Sequence, residues 1–194
     1  MRVIAGQHRG RTLIAPKGEH TRPTSDRVRE SMFSALASRL GAELGGGAVL
    51  DAFAGSGALG IEALSRGCAC ATFVESDRAA LRTLKGNLES LDLQSRGRVL
   101  EGDVTSMASR CGIAGGPFSL LLLDPPYRLA WANIELLTSA LARCELLVDG
   151  ALIVYEHASD GPAAWPAGFS LDTYKKYGTT GIDVVIYHWE ARSE

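Results

Sequence analysis

Residues 49–64 read VLDAFAGSGALGIEAL. An apolar stretch ending in Asp51 leads into Gly55, Gly57 and Gly60, spaced G-x-G-x-x-G, and these open an apolar helical pattern. Glycines at such a turn allow tight geometry and close approach of a ligand to the backbone. The next apolar stretch, CATFVE, ends in Glu75, about twenty residues after the first glycine, where a carboxylate can accept hydrogen bonds from a ribose diol. The strand–turn–helix–strand order, with the acid in place, predicts a nucleoside-binding α/β unit. A ligand-free glycine turn is the alternative, and it leaves Glu75 unexplained.

The same rhythm continues downstream. DRAALRTLKGNLESL predicts a helix with Leu81, Leu84, Leu88 and Leu91 on one face. RVLEG, FSLLLLD and ALIVYEH predict strands, separated by DVTSMASRC and by LAWANIELLTSALARC, a helix with Ile134, Leu137 and Leu141 inward. Near-continuous apolar strands alternating with helices mean a parallel sheet covered on both faces. FSLDTYKKYG and GIDVVIYHWE have no helix between them and should pair antiparallel. Upstream, residues 24–40 predict a helix capped by Thr24 or Ser25, with Val28, Met32, Leu36 and Leu40 as its stripe. VIAG and RTLIAP predict two short strands, and GAELGGG (41–47) is the best linker. The expected organisation is a basic hairpin plus helix over 1–40 and a doubly wound domain over 48–194.

The chain has 194 residues, 46% of them apolar and 22% charged, values of a folded domain that exclude disordered and fibrous classes. No apolar run is long enough for a membrane span, and the N-terminus lacks the apolar core of a signal peptide. Net charge is −2, but residues 1–29 hold seven basic and two acidic groups. A basic arm on an acidic body suggests a polyanionic partner; a solvated charged hairpin is the alternative. On the arm reading, residues 1–20 can be removed with the core intact. Cys68, Cys70, Cys111 and Cys144 show neither metal-ligand nor disulfide spacing, so no metal site is expected. Cys68 and Cys70 read as small buried residues, and the four thiols together suggest a reducing cytoplasm.

Asp51, at the end of the first strand, would repel a pyrophosphate but can hold an ammonium group. That favours S-adenosylmethionine over a nicotinamide dinucleotide, and the length leaves little room for a dehydrogenase's second domain. Directly after the strand SLLLL stands Asp124-Pro125-Pro126-Tyr127. The prolines stiffen the loop and carry no N–H, so Asp124 and the Pro125 carbonyl form an acceptor pair suited to an exocyclic –NH2. Tyr127 offers a flat face for a base. A rigid turn with a capping Asp explains Asp-Pro alone, but poorly explains all four residues beside a cofactor loop.

Asp-Pro-Pro-Tyr after the fourth strand resembles the signature of class I amino-methyltransferases. RVIAGQHRGRTL, RPTSDRVRESMFSAL and LDAFAGSGALGIEALSRG resemble the RsmD family, bacterial enzymes that methylate guanine N2 in 16S ribosomal RNA. The resemblance runs from residue 2 to the final strand, with no departure in the glycine loop. It implies a Rossmann-like class I methyltransferase fold, a seven-stranded sheet of order 3-2-1-4-5-7-6 with strand 7 antiparallel. It also implies S-adenosylmethionine as cofactor and 16S rRNA or the small ribosomal subunit, at guanine 966, as substrate. Asp103 and Val104 then sit by the adenine, Asp103 also serving as a helix cap. Asp77 and Arg78 flank the adenine, and Arg9, Arg11, Arg22 and Arg27 contact RNA phosphates. A monomer is expected.

Two rivals remain. A DNA amino-methyltransferase shares the four-residue signature but usually needs an added recognition region, for which no segment is long enough. A non-catalytic RNA-binding assembly factor would not need Asp124. A cytosine-C5 enzyme needs a cysteine nucleophile, and no cysteine lies in 124–127 or follows a proline. His8, His20, His157 and His188 read as structural, since the chemistry needs no imidazole. Trp165, in a Pro/Gly-rich loop, can stack on RNA or close the core.

Overall fold

The computed structural model describes residues 1–15, 26–41, 44–126, 129–158 and 160–189, with the backbone alone at 26 and 27. After helix α1 (Asp26–Leu40) and a 3-10 turn (Leu44–Gly46), strands and helices alternate: β1 (Ala48–Asp51), α2 (Ala58–Ser65), β2 (Cys70–Glu75), α3 (Arg78–Ser90), β3 (Gly97–Glu101), α4 (Val104–Ser109), β4 (Phe118–Leu123), α5 (Trp131–Arg143) and β5 (Leu147–Ala158). A hairpin of β6 (Phe169–Tyr177) and β7 (Thr180–Tyr187) ends the described chain. The strands form one sheet of order β3-β2-β1-β4-β5-β7-β6. β1 to β5 are parallel, and β7 runs antiparallel between β5 and β6. This is the Rossmann-like class I methyltransferase arrangement that the resemblance implies.

The period of two along β4 sorts the core. Leu120 and Leu122 join Val49, Leu152 and Val154 under α1, α2 and α3, with Met32, Phe33, Leu36, Ile61 and Leu84 closing that layer. Leu121 and Leu123 face the other way, under α4 and α5, with Leu50, Ile153, Ile134, Leu137 and Leu141. Both faces of the central strands are therefore buried, which is why they read as unbroken apolar runs.

Residues 1–15 depart from the expected arm. They form a hairpin with a single antiparallel bridge, Arg2 to Thr12, rather than two strands. Val3 and Leu13 are buried in the core on the α2 side. The N–H groups of Ile4 and Ala5 donate to the Glu62 carboxylate at 2.7 and 3.0 Å, and Arg66 Nε adds a third bond at 2.6 Å. Buried Asn87 on α3 accepts from Ile14 N and donates to Ile14 O. The segment is thus a strap bonded to α2 and α3, which argues against the expectation that residues 1–20 are dispensable for folding. Charge count alone could not show which apolar side chains the hairpin buries.

Two cysteine expectations also change. Cys111 and Cys144 form a disulfide with Cα atoms 5.5 Å apart, joining the chain just past α4 to the residue just past α5. The packing of α4 on α5 brings them together across 33 residues of sequence. Cys68 is buried as expected, but Cys70 is exposed. Among the described residues, no helix is long and apolar enough to cross a membrane, and no group of three or more His, Cys, Asp or Glu is placed to hold a metal ion.

Candidate active site

Parallel strands laid side by side bring their last residues to one edge. β1 ends in Asp51, β2 in Glu75 and β3 in Glu101, and Asp124 follows β4 directly. β4 lies beside β1, with Asp51 level with Leu122. The crevice between β1 and β4 is where the winding of the sheet reverses, the position at which doubly wound sheets bind ligands.

Asp51 is buried, and its Oδ2 accepts from Gly60 N at 2.9 Å. Burial pushes its carboxyl up to about 7; the Gly60 hydrogen bond opposes this, and the charges of Asp124 and Glu75 add to it. Gly57, at φ +82°, precedes α2, and a Cβ there would lie 2.4 Å from the Leu84 side chain. At Gly60 a Cβ would lie 2.3 Å from the Phe73 ring. These glycines let the loop settle directly on α3 and β2. Gly55, at φ +54°, faces open space.

Glu75 does more than its sequence position suggested. Its Oε2 accepts from Gly55 N at 2.7 Å, and its Oε1 from Ser76 N and Asp77 N at 2.8 and 2.7 Å. Three of the roughly four acceptor directions of a carboxylate are in use, leaving about one for a ribose hydroxyl rather than two. Glu75 thus shapes the glycine loop at the strand-end edge of the sheet. Glu75→Ala is accordingly expected to weaken cofactor binding by about 1–3 kcal/mol, the scale of a lost hydrogen bond to a charged group. Calorimetry with S-adenosylhomocysteine checks this, and unchanged affinity in a folded variant removes Glu75 from the site.

The residues fit S-adenosylmethionine. Asp124 and Glu75 lie close enough to Asp51 for their charges to raise its carboxyl. A pyrophosphate would meet only repulsion from them, whereas a sulfonium and an ammonium group would be attracted. Cofactor binding should therefore favour ionised Asp51 and release its proton. The folded-state value is raised, so Asp51 is protonated below about pH 7 and ionised above it. Affinity should rise as pH climbs through about 7, and calorimetry in buffers of different ionisation enthalpy should detect the released proton. A flat profile in the wild type, or an unchanged one in Asp51→Asn, counts against this role.

Asp77 caps α3 by accepting from Ala79 N and Ala80 N. Asp103 caps α4 through Ser106 N at 2.7 Å, so the capping alternative holds for it. Val104 is buried behind that cap. Arg78 is largely exposed, 3.8 Å from Glu101, a surface pair worth little. All of these, with Pro125, lie along the same edge of the sheet. Arg9 and Arg11 do not: the hairpin turn packs on Ser65 at the far end of α2, about 12 Å of helix from the glycine loop. Arg11 also donates to Ser90 O at the end of α3, at 2.7 Å. Arg22 and Tyr127 lie outside the described residues, as does the side chain of Arg27. Trp165 closes the core: its indole lies edge-on to Trp131 and donates to Asp183.

Sequence reading did not single out Glu62, Asn87 or Asp183. Each is a polar residue on an otherwise apolar face, and that mismatch was their available signal. Asn87 Nδ2 also donates to Ser56 O at 2.9 Å, tying the strap to the glycine loop.

The family model described as conserved hypothetical protein 95 matches residues 1–186. The ribosomal RNA small subunit methyltransferase D of Escherichia coli K12 is 38% identical over all of this chain and 92% of its own length. A solved E. coli chain, yhhF, superposes with a TM-score of 0.83 at 36% identity, covering 98% of this chain and 99% of that one. A Salinibacter ruber RNA methyltransferase in complex with S-adenosyl-L-homocysteine shares the fold, with a TM-score of 0.63 at 16% identity over 89% of this chain and 97% of that one. With that match over nearly its whole length, the chain belongs to the conserved hypothetical protein 95 family, the RsmD family.

Proposed function

We propose that the protein methylates the exocyclic N2 of a guanine in 16S ribosomal RNA, at guanine 966 as its family resemblance implies. The protein is an S-adenosylmethionine-dependent methyltransferase, and ribosomal RNA is the substrate class of its relatives. The observation that carries the finer reading is the Asp124-Pro125 pair immediately after β4, beside a cofactor crevice walled by Asp51 and Glu75.

Guanine N2 is a poor nucleophile because its lone pair is delocalised into the ring. The Asp124 carboxylate and the Pro125 carbonyl accept its two N–H bonds and draw the nitrogen toward sp³ geometry, aiming the lone pair at the methyl group. When bound, the cofactor supplies that methyl on a positive sulfur, which keeps the C–S electron pair as the bond breaks. The nitrogen becomes acidic as it gains the methyl, and Asp124 or water takes the proton. Most of the rate gain comes from positioning. Tyr127 stacks on the base, held unstacked from its RNA neighbours. Arg9, Arg11, Arg22 and Arg27 contact phosphates, Arg11 with the guanidinium donors that Ser90 leaves over. The setting is the cytoplasm, and the working unit is a monomer.

The test is transfer of a tritiated methyl to undermodified 30S particles, naked 16S RNA and duplex DNA, followed by nucleoside analysis. N2-methylguanosine in either RNA acceptor is the expected product. Label on adenine N6 or cytosine N4 of DNA would establish the rival amino-methyltransferase, and no label on any acceptor would favour an assembly factor.

A further inference from the structure

Asp183 stands in the apolar run of β7 and is fully buried. An apolar side chain would fill that place without the cost of burying a charge. Its oxygens bond the end of β5 and the turn that follows it. Oδ1 accepts from His157 Nε2 at 3.2 Å, and Oδ2 from Ala163 N at 2.9 Å and Trp165 Nε1 at 2.8 Å. His157 Nδ1 meets the Ala158 carbonyl at 2.7 Å, so both ring nitrogens face acceptors. Burial works against a charged His157, but the Asp183 hydrogen bond and charge outweigh it and hold its pKa above the ordinary value.

The turn so fixed supports the acceptor loop. Trp165 packs 5.1 Å from Trp131 and 5.9 Å from Tyr155, and Trp131 lies 5.6 Å from Tyr155. Tyr155 is the strand partner of Leu123, the residue before Asp124. Trp131 is the first residue of α5, where the loop ends. Both ends of the loop that carries Asp124 and Pro125 therefore rest on one aromatic cluster.

We propose that Asp183 is a positioning residue for methyl transfer, holding Trp165 against that cluster so that the Asp124 loop keeps its reactive placement. This role rests on the methyl-transfer reading of Asp124. The cofactor residues Asp51 and Glu75 lie on β1 and β2, away from β7, so loosening Asp183 acts on turnover and leaves cofactor affinity alone.

The variants separate geometry from charge. In Asp183→Asn the amide oxygen can serve Ala163 and Trp165, while its NH2 donates to a neutral His157. In Asp183→Ala all three bonds go. Steady-state transfer to 16S RNA in Asp183→Ala should fall about 10- to 100-fold, the scale on which misplacing a reacting group acts. S-adenosylhomocysteine affinity should stay within about twofold, the pattern of an interaction expressed only in turnover. Asp183→Asn should restore most of the rate, and Trp165→Phe, which loses the N–H, should fall between. A folded Asp183→Ala at wild-type rate, an Asp183→Asn as slow as Asp183→Ala, or cofactor affinity falling in step with turnover would each overturn the role. If Asp183→Ala does not fold, Trp165→Phe decides, and a wild-type rate there overturns it. Wild-type protein inactive on every RNA acceptor defeats the methyl-transfer reading and this role together, whereas active wild type with unaffected variants defeats this role alone.

Discussion

Asp124→Ala should lose methyl transfer by about 10²- to 10⁴-fold, the range a positioned proton acceptor contributes, while binding cofactor as the wild type does. The carboxylate follows β4 immediately, and the side chain is only partly buried. Its proposed work is on the acceptor nitrogen, whereas the residues proposed to hold the cofactor lie on β1 and β2. Removing it also removes one of the two nearby charges that raise Asp51, which favours ionised Asp51. That offsets the loss of the attraction for the cofactor's cation that Asp124 itself supplied, so cofactor affinity should stay close to that of the wild type near neutral pH. Asp124→Asn keeps an acceptor oxygen but not the charge, and should recover part of the loss. Single-turnover transfer and calorimetry on the same preparations give both numbers. A near-wild-type rate in Asp124→Ala would show that the amino-methyltransferase reading is wrong, and lost cofactor binding would move Asp124 to the other substrate.

Removing residues 1–14 should cost most of the fold's stability. Val3 and Leu13 each bury a full side chain, worth about 1.5–3 kcal/mol apiece. Glu62 would keep Arg66 but lose its two backbone N–H donors from the strap, at about 1–3 kcal/mol more. The sum, about 4–9 kcal/mol, is comparable with the total stability of many domains. At about 2–4 °C per kcal/mol for a chain of this size, the melting midpoint should drop by about 8–36 °C, or the cooperative transition should vanish. Melting followed by circular dichroism decides it. A truncated protein that melts with the full-length one would show that the strap is an appendage after all. In that case the salt dependence of RNA binding would report its RNA role directly, flattening by about 0.7–0.9 in log–log slope for each phosphate the truncated protein no longer neutralises.

Much of the site was legible because its parts are local in sequence. The glycine loop, Glu75 at the end of β2 and Asp124 after β4 are each announced by neighbours within a few residues. Parallel strands then carry them to the same edge without further information, since every βα unit turns the same way. The capping role of Asp103 was visible for the same reason. Glu75's hold on Gly55 N was not, because it depends on how β2 lies beside the loop.

The α/β alternation, the buried parallel strands, the terminal antiparallel hairpin and the acids at the strand ends can all be read from the residues in order. These follow from periodicity and turn chemistry, which act over one or two turns of chain. Tertiary structure alone decided the fate of the polar groups paired across long separations. Glu62 meets Ile4 and Ala5, Asn87 joins the strap to Ser56, Asp183 clamps the turn after β5, and Cys111 finds Cys144. A buried carboxylate or amide is tolerable only where its hydrogen bonds are met. Which distant backbone meets them is set by the packing of whole helices on the sheet, and a local pattern carries no record of that.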